Sequence, residues 1–373
     1  MKVLTLFGTR PEAIKLAPVI RELERLGLES RVCVTAQHRE MLDQVLALFE
    51  IEPDWDLDLM RPDQSLYQVT TRSLEALEGV LRAERPELVL VQGDTTTAFS
   101  GALAAFYAKV WVGHIEAGLR SHDKAAPFPE EMNRRLADQL SDWLFAPTAG
   151  AKENLIREGL PAERIFVTGN TVIDALLWTV GRLKCPESQA RLERRFTSLG
   201  LDLEKRLILV TAHRRESFDR LAEICTGLKL IAEHNRDLEV VYPVHLNPRV
   251  LGPVRQILEG LERVHLIEPQ DYESFVWLMS RAYLILTDSG GIQEEAPALG
   301  KPVLVLRERT ERPEAIAAGT ARLVGVNRER IFKEIQRLLD SSAEYGKMAH
   351  AANPFGDGHA AERIASILSS QPR

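Results

Sequence analysis

Short apolar runs alternate with amphipathic stretches along the chain. Residues 3–7, 31–35, 88–92, 111–115, 143–146 and 165–167 each read as a strand. A second series follows at 207–211, 239–243, 264–267, 284–287 and 303–306. Between them, apolar positions recur at helical spacing, as in 12–26, 95–107, 218–234 and 328–339. Strands that are apolar throughout, rather than alternating, belong to parallel sheets covered on both faces. The pattern predicts an α/β protein of two Rossmann-like, doubly wound parallel-sheet domains. Residues 1–169 form the first and 170–353 the second, which opens on the charged, strandless stretch 184–203. Residues 354–373 follow a turn cluster, Asn353-Pro354-Phe355-Gly356-Asp357-Gly358, and are expected to return as a helix to the first domain.

Composition narrows the function. The 373 residues suffice for two cores, and 45% hydrophobic content excludes a disordered chain. A net charge of −7 gives no general affinity for nucleic acid, so an anionic ligand has to be held by local basic groups. No apolar run reaches membrane-spanning length, and the apolar start breaks at Gly8-Thr9-Arg10 before it could serve as a signal peptide. Cys33, Cys185 and Cys225 lie far apart without a C-x-x-C pair. They read as buried, reduced thiols of a cytoplasmic protein. The nine histidines form no ligand-spaced cluster, so no metal is expected.

In open parallel sheets, ligands sit beyond the carboxyl ends of the strands. After the first strand come Gly8-Thr9-Arg10-Pro11-Glu12 and then Lys15, a tight turn into a helix with two cations. It reads either as an anion site with free N–H groups or as an ordinary turn. Gly93-Asp94-Thr95 follows the strand at 88–92, and Glu116-Ala117-Gly118-Leu119-Arg120 follows the strand at 111–115. A lone Asp there is often a helix cap, but two carboxylates at adjacent strand ends suggest acid–base chemistry. Pro127-Phe128-Pro129 leads into Glu130-Glu131-Met132-Asn133-Arg134-Arg135. The Glu130/Arg134 and Glu131/Arg135 pairs suit surface salt bridges or an acid with its orienting Arg, and spacing does not choose. In the second half, Ala212-His213-Arg214-Arg215-Glu216 suits a diphosphate clamp, and Asp288-Ser289-Gly290-Gly291 offers backbone N–H groups at a helix start. Glu295 lies further along that helix, where it can accept hydrogen bonds from ribose hydroxyls. Arg312 marks one more turn, in Thr310-Glu311-Arg312-Pro313-Glu314. Together these turns predict an interdomain cleft for an anionic ligand. G-x-G-x-x-G is absent, so a dinucleotide site and a cofactor are not expected.

The ordered set of motifs resembles the bacterial non-hydrolysing UDP-N-acetylglucosamine 2-epimerase family. It comprises Phe7-Gly8-Thr9-Arg10-Pro11-Glu12-Ala13, Ala36-Gln37-His38-Arg39-Glu40-Met41, Gln92-Gly93-Asp94-Thr95-Thr96-Thr97 and His114-Ile115-Glu116-Ala117-Gly118-Leu119-Arg120. Gly169-Asn170-Thr171-Val172-Ile173-Asp174, Tyr242-Pro243-Val244-His245, residues 287–296 and Arg309-Thr310-Glu311-Arg312-Pro313-Glu314 complete it. The resemblance runs from Met1 to Ile364. It implies a glycosyltransferase-B-like fold, a homodimer, and interconversion of UDP-GlcNAc with UDP-ManNAc for polysaccharide biosynthesis. By resemblance, Arg10, His213, Gln270, Phe275, Ser289, Gly290, Gly291, Glu295 and Arg312 contact UDP, and Lys15 lines the same cleft. Asp94, Glu116, Glu130 and His213 surround the reacting sugar, with Arg134 nearby. Gln44, Gln68 and His245 are candidates for a second, activating UDP-GlcNAc site. One departure is Ala125-Ala126, where relatives often carry Tyr-Ser.

Inverting C2 of the sugar requires loss of its proton, and no adjacent carbonyl stabilises a carbanion. Departure of UDP from C1 with loss of the C2 proton, followed by re-addition, solves that problem. A hydrolysing 2-epimerase releasing UDP and ManNAc, or a glycosyltransferase of the same fold, is the alternative. A nucleotide-sugar sensor would need the anion clamp but not the carboxylates.

Overall fold

The computed structural model describes residues 1–35, 39–61, 63–212, 214, 218 and 220–370. The chain divides into two compact units, residues 1–175 with 355–373, and residues 176–354. The division falls inside helix Thr171–Leu183, and the charged stretch beyond it forms helix Pro186–Ser198.

The first unit holds β1 (Lys2–Phe7), β2 (Glu29–Val34), β3 (Trp55–Asp56), β4 (Leu88–Gln92), β5 (Trp111–Ile115), β6 (Trp143–Ala146) and β7 (Ile165–Val167). They form one parallel sheet in the order β3-β2-β1-β4-β5-β6-β7. Leu4, Leu6, Val89 and Val91 of its central strands pack on Leu77, Val80, Ala98 and Ala102 of the covering helices. The second unit holds β8 (Arg206–Thr211), β9 (Leu238–Pro243), β10 (Val264–Ile267), β11 (Ala282–Thr287), β12 (Val303–Val305) and β13 (Ala321–Leu323). Its parallel order is β10-β9-β8-β11-β12-β13. Ile208, Val210, Val240, Leu284 and Leu286 form its core with Ile224, Leu228 and Ile335.

Both orders reverse once, between β1 and β4 in the first sheet and between β8 and β11 in the second. Helices leave on opposite faces there, which opens a crevice at the carboxyl ends of those strands. β3 and β13 are additions to the sequence reading. Each is a very short strand at a sheet edge.

Cys33 and Cys225 are core residues, and burial pushes both thiols up to about 12. Cys185 departs from the expectation: it is exposed, at the start of helix Pro186–Ser198.

Helix Ala360–Ser369 packs on helix Arg10–Arg25 of the first unit, and its residues Ala361, Ile364, Ala365 and Leu368 are buried. No residue of its own caps it. Asp174 does so instead, with Oδ1 accepting from the Ala361 N–H at 2.8 Å. Its Oδ2 is buried without a partner among the described residues. Burial pushes this carboxyl up to about 6, against the opposing pull of the Ala360 and Ala361 N–H groups. The folded value exceeds the unfolded one, so the contribution to stability is full below pH 4 and is lost as pH rises through 6. A shift of about two pH units corresponds to about 2–3 kcal/mol. Asp174→Asn keeps an acceptor for Ala361 and does not ionise. Urea unfolding from pH 4 to 8 should therefore show the variant gaining about 2 kcal/mol over wild type as pH rises. A flat difference would remove Asp174 from the pH dependence.

Candidate active site

The turn after β1 is built by a capping box. Thr9 Oγ1 accepts from Glu12 N, and Glu12 Oε2 accepts from Thr9 N at 2.8 Å and Gly8 N at 3.0 Å. Glu12 Oε1 takes the Thr95 hydroxyl at 2.5 Å, which ties the turns after β1 and β4 together. This corrects the reading of free N–H groups at the first turn: those of Gly8 and Thr9 are satisfied by a buried side chain. What the turn leaves for chemistry is Arg10 and Lys15.

Lys15 reaches Glu116. The register of β4 on β5 pairs Gln92 with Ile115, so Asp94 and Glu116 emerge side by side beyond the two strand ends. Glu116 is 5% exposed and adopts φ +67°, a left-handed backbone that costs a non-glycine residue about 1–2 kcal/mol. Among the described residues, four side chains donate to its carboxylate. They are Lys15 Nζ, Gln92 Nε2 at 3.0 Å, Asn170 Nδ2 at 3.3 Å and Arg134 Nη2 at 3.3 Å. Arg134 Nη1 also donates to the Glu116 carbonyl at 2.6 Å, and Nη2 pairs with Asp94 Oδ2. Two residues on, Gly118 sits at φ +84°, where a Cβ would meet Ala151 O at 2.3 Å, so no other residue fits.

Helix Glu130–Leu140 carries the clamp. Of the two i,i+4 pairs read from the sequence, Glu131–Arg135 forms, at 3.0 Å. Arg134 turns inward instead, is 6% exposed, and serves both carboxylates. Burial works against its charge, but Asp94 and Glu116 outweigh that and push the guanidinium above its ordinary value. Asn133 Nδ2 fixes the Asp94 carbonyl at 3.0 Å. Glu130 is half-buried in the first turn of this helix, and no hydrogen bond joins it to Asp94 or Glu116 among the described residues.

In the second unit, the turns after β8, β11 and β12 gather basic groups around the start of helix Gly290–Ala298. Asp288 is fully buried, and its Oδ2 accepts from Arg214 N at 2.8 Å. Ser289 stands at the N-cap position but makes no side-chain cap, which leaves its hydroxyl to other partners. A Cβ built on Gly290 would lie 3.7 Å from Arg312 Nη2 and 3.8 Å from Arg214 Nη2. Two guanidinium groups and a helix N-terminus therefore converge on a backbone without a side chain, which suits an anion. Arg312 is held there by Glu294, and Thr310 Oγ1 braces its backbone N–H at 3.0 Å. Glu295 is buried and accepts from Tyr272 Oη at 3.3 Å. Gln270 bridges Arg195 Nη2 at 3.0 Å and the Glu268 carbonyl, and Phe275 is half-buried on helix Tyr272–Arg281.

His213 lies outside the described residues, as do Arg215, Glu216 and Ala36-Gln37-His38. Gln44 is exposed on helix Arg39–Phe49. Gln68 closes the capping box of helix Leu66–Glu84 with Ser65, a local structural role. His245 is in the second unit, where Nδ1 accepts from Asn247 N at 3.1 Å. The sequence reading leaves out Gln92 and Asn170 as site residues, whereas Arg214 is one of the two arginines of its diphosphate clamp. The first two stood inside quoted motifs, and their flanking glycines were the available signal.

The family model described as UDP-N-acetylglucosamine 2-epimerase matches residues 21–369. The chain is 57% identical to the UDP-N-acetylglucosamine 2-epimerase of Salmonella typhimurium over 373 residues, covering 99% of each chain. It is 56% identical to that of Yersinia pestis, again with 99% of each covered. Among solved structures, it is similar to the Neisseria meningitidis UDP-GlcNAc 2-epimerase bound to UDP-GlcNAc, with a TM-score of 0.92, 51% identity and complete coverage of both chains. The fold is glycosyltransferase-B-like. With carboxylates at one set of strand ends, an anion cradle at another, and this likeness over the full length, the chain belongs to the UDP-N-acetylglucosamine 2-epimerase family.

Proposed function

We propose that the protein interconverts UDP-GlcNAc and UDP-ManNAc by eliminating UDP and adding it back. The observation that carries this is the pairing of Asp94 and Glu116 under one buried guanidinium, Arg134, in a chain that also holds the Arg312–Gly290 cradle.

As the C1–O bond of the sugar breaks, negative charge grows on the diphosphate. Arg312, Arg10, His213 and the amides of residues 289–291 take it up, a preorganised electrostatic role. Gln270, Phe275 and Glu295 hold the rest of UDP. The C2 proton leaves to a carboxylate, giving a glycal-like intermediate and UDP. Re-protonation from the other face and return of the diphosphate oxygen to C1 complete the inversion.

The geometry separates the two strand-end carboxylates. Asp94 is about a third exposed, with Arg134 as its side-chain partner among the described residues, which suits proton exchange with substrate. Glu116 is buried under four donors, which suits a fixed negative charge facing a ring that becomes cationic. Glu130 serves the second face from the first turn of its helix. The same reading includes a cytoplasmic homodimer that supplies UDP-ManNAc to polysaccharide synthesis. It also includes activation by a second UDP-GlcNAc, with Gln44, Gln68 and His245 as its candidates.

Proton NMR of the purified protein with UDP-GlcNAc in D2O tests the proposal. UDP-ManNAc bearing deuterium at C2, without free ManNAc, is expected. Free ManNAc with UDP would assign the hydrolysing reaction, and an unchanged spectrum would refute turnover.

A further inference from the structure

His114 is fully buried on β5, two residues before Glu116, which follows the strand end. Both of its ring nitrogens are engaged. Nε2 lies 2.7 Å from the Gly93 carbonyl, and Nδ1 lies 2.6 Å from Asp138 Oδ1. A carbonyl only accepts, so Nε2 carries a proton. An ionised carboxylate also only accepts, so Nδ1 carries one too.

Asp138 is in turn fully buried on helix Glu130–Leu140, one turn after Arg134. Its Oδ2 receives Arg120 Nη2 at 2.6 Å and the Gly118 N–H at 3.3 Å. Burial alone would raise this carboxyl, but His114 and Arg120 hold it below the ordinary range. Glu158 bonds Arg120 from the far side at 2.7 Å, and the positive charge of Arg134 also acts on Asp138 from its own helix. The charged groups facing the couple are therefore Arg120, Arg134 and, through Arg120, Glu158.

Asp138 thus reaches the backbone on both sides of the reacting groups. Through His114 it holds the Gly93 carbonyl, next to Asp94. Directly it holds the Gly118 N–H, just after Glu116. Gly93 at φ +75°, Glu116 at +67° and Gly118 at +84° all have left-handed backbones. Glycine adopts such a backbone freely, but at Glu116 it persists only where surrounding contacts over-determine it. Helix Glu130–Leu140 therefore grips the two catalytic turns twice, by their side chains through Arg134 and by their backbones through Asp138.

We infer that His114 and Asp138 are positioning residues for the epimerisation, a buried imidazolium–carboxylate couple that fixes the turns bearing Asp94 and Glu116. The inference rests on the reading of Asp94 and Glu116 as carboxylates that act on the sugar, one on its proton and one on its developing charge.

Asp138→Ala is expected to lower kcat about 10²-fold, with KM for UDP-GlcNAc changed less than about threefold, because a misplacement near 1 Å suffices for such a loss. Asp138→Asn offers an amide N–H to Nδ1 of a neutral His114 and an oxygen to Arg120 and Gly118. It should restore kcat to within about tenfold of wild type, because geometry rather than charge is what the couple supplies. Nitrogen-15 NMR of histidine-labelled protein reads the couple without turnover. Wild type at pH 7 should show both His114 ring nitrogens protonated, and Asp138→Asn should show one bare. A bare His114 nitrogen in wild type would overturn the inference, even if Asp138→Ala fails to fold. Full kcat in a folded Asp138→Ala would overturn it as well. Full activity of Asp94→Asn together with Glu116→Gln would instead sink the reading beneath it, which keeps the two failures apart.

Discussion

Asp94→Asn is expected to reduce kcat by about 10²–10⁴-fold, the range for removing a positioned acid or base. The substitution changes little else. Asn keeps an oxygen for Arg134, and the Asp94 carbonyl remains fixed by Asn133 Nδ2. Binding of UDP-GlcNAc should therefore persist, and the loss should fall on kcat rather than KM. Deuterium entry at C2 should fall by the same factor as epimer formation. A variant that still exchanged the C2 proton at the wild-type rate would show that Asp94 does not move it, and would pass that role to Glu116 or Glu130.

Arg312→Met should lower kcat/KM by about 10²–10³-fold, since a preorganised group that meets developing charge is commonly worth several kcal/mol. The Met side chain fills similar space but returns no charge to the diphosphate, and Glu294 loses its guanidinium partner. Lys at 312 restores the charge without the planar fork that grips Glu294 and a phosphate together, so Arg312→Lys should recover only part of the loss. Inhibition by UDP should weaken in parallel with kcat/KM. Unchanged UDP inhibition in a folded Arg312→Met would remove Arg312 from the leaving-group site.

Much of the fold could be read from the chain because its strands are buried on both faces. β4 through β7 and β10 lie at the residues expected, since each is a continuous apolar run with a clear stop. β3 and β13 escaped notice because two or three residues at a sheet edge carry no such run. Candidate site residues were legible where they follow a strand, as Asp94 follows β4 and Glu116 follows β5. Their partners were not. Asn170 reaches Glu116 across 54 residues of sequence, and Asp138 reaches His114 across 24, so only the folded sheet brings them together. Arg134 shows the same limit from the other side. Its spacing from Glu130 suited a surface pair, but burial and two carboxylates turned it inward.

The first unit is made from two stretches of chain, with all of the second unit encoded between them. Synthesis runs from the N-terminus, and domains fold as they emerge. The second unit can thus complete its sheet while helix Arg10–Arg25 still lacks its neighbour, helix Ala360–Ser369. The unit that begins first on the ribosome is the last to close, and its closure waits on a ten-residue helix capped by Asp174.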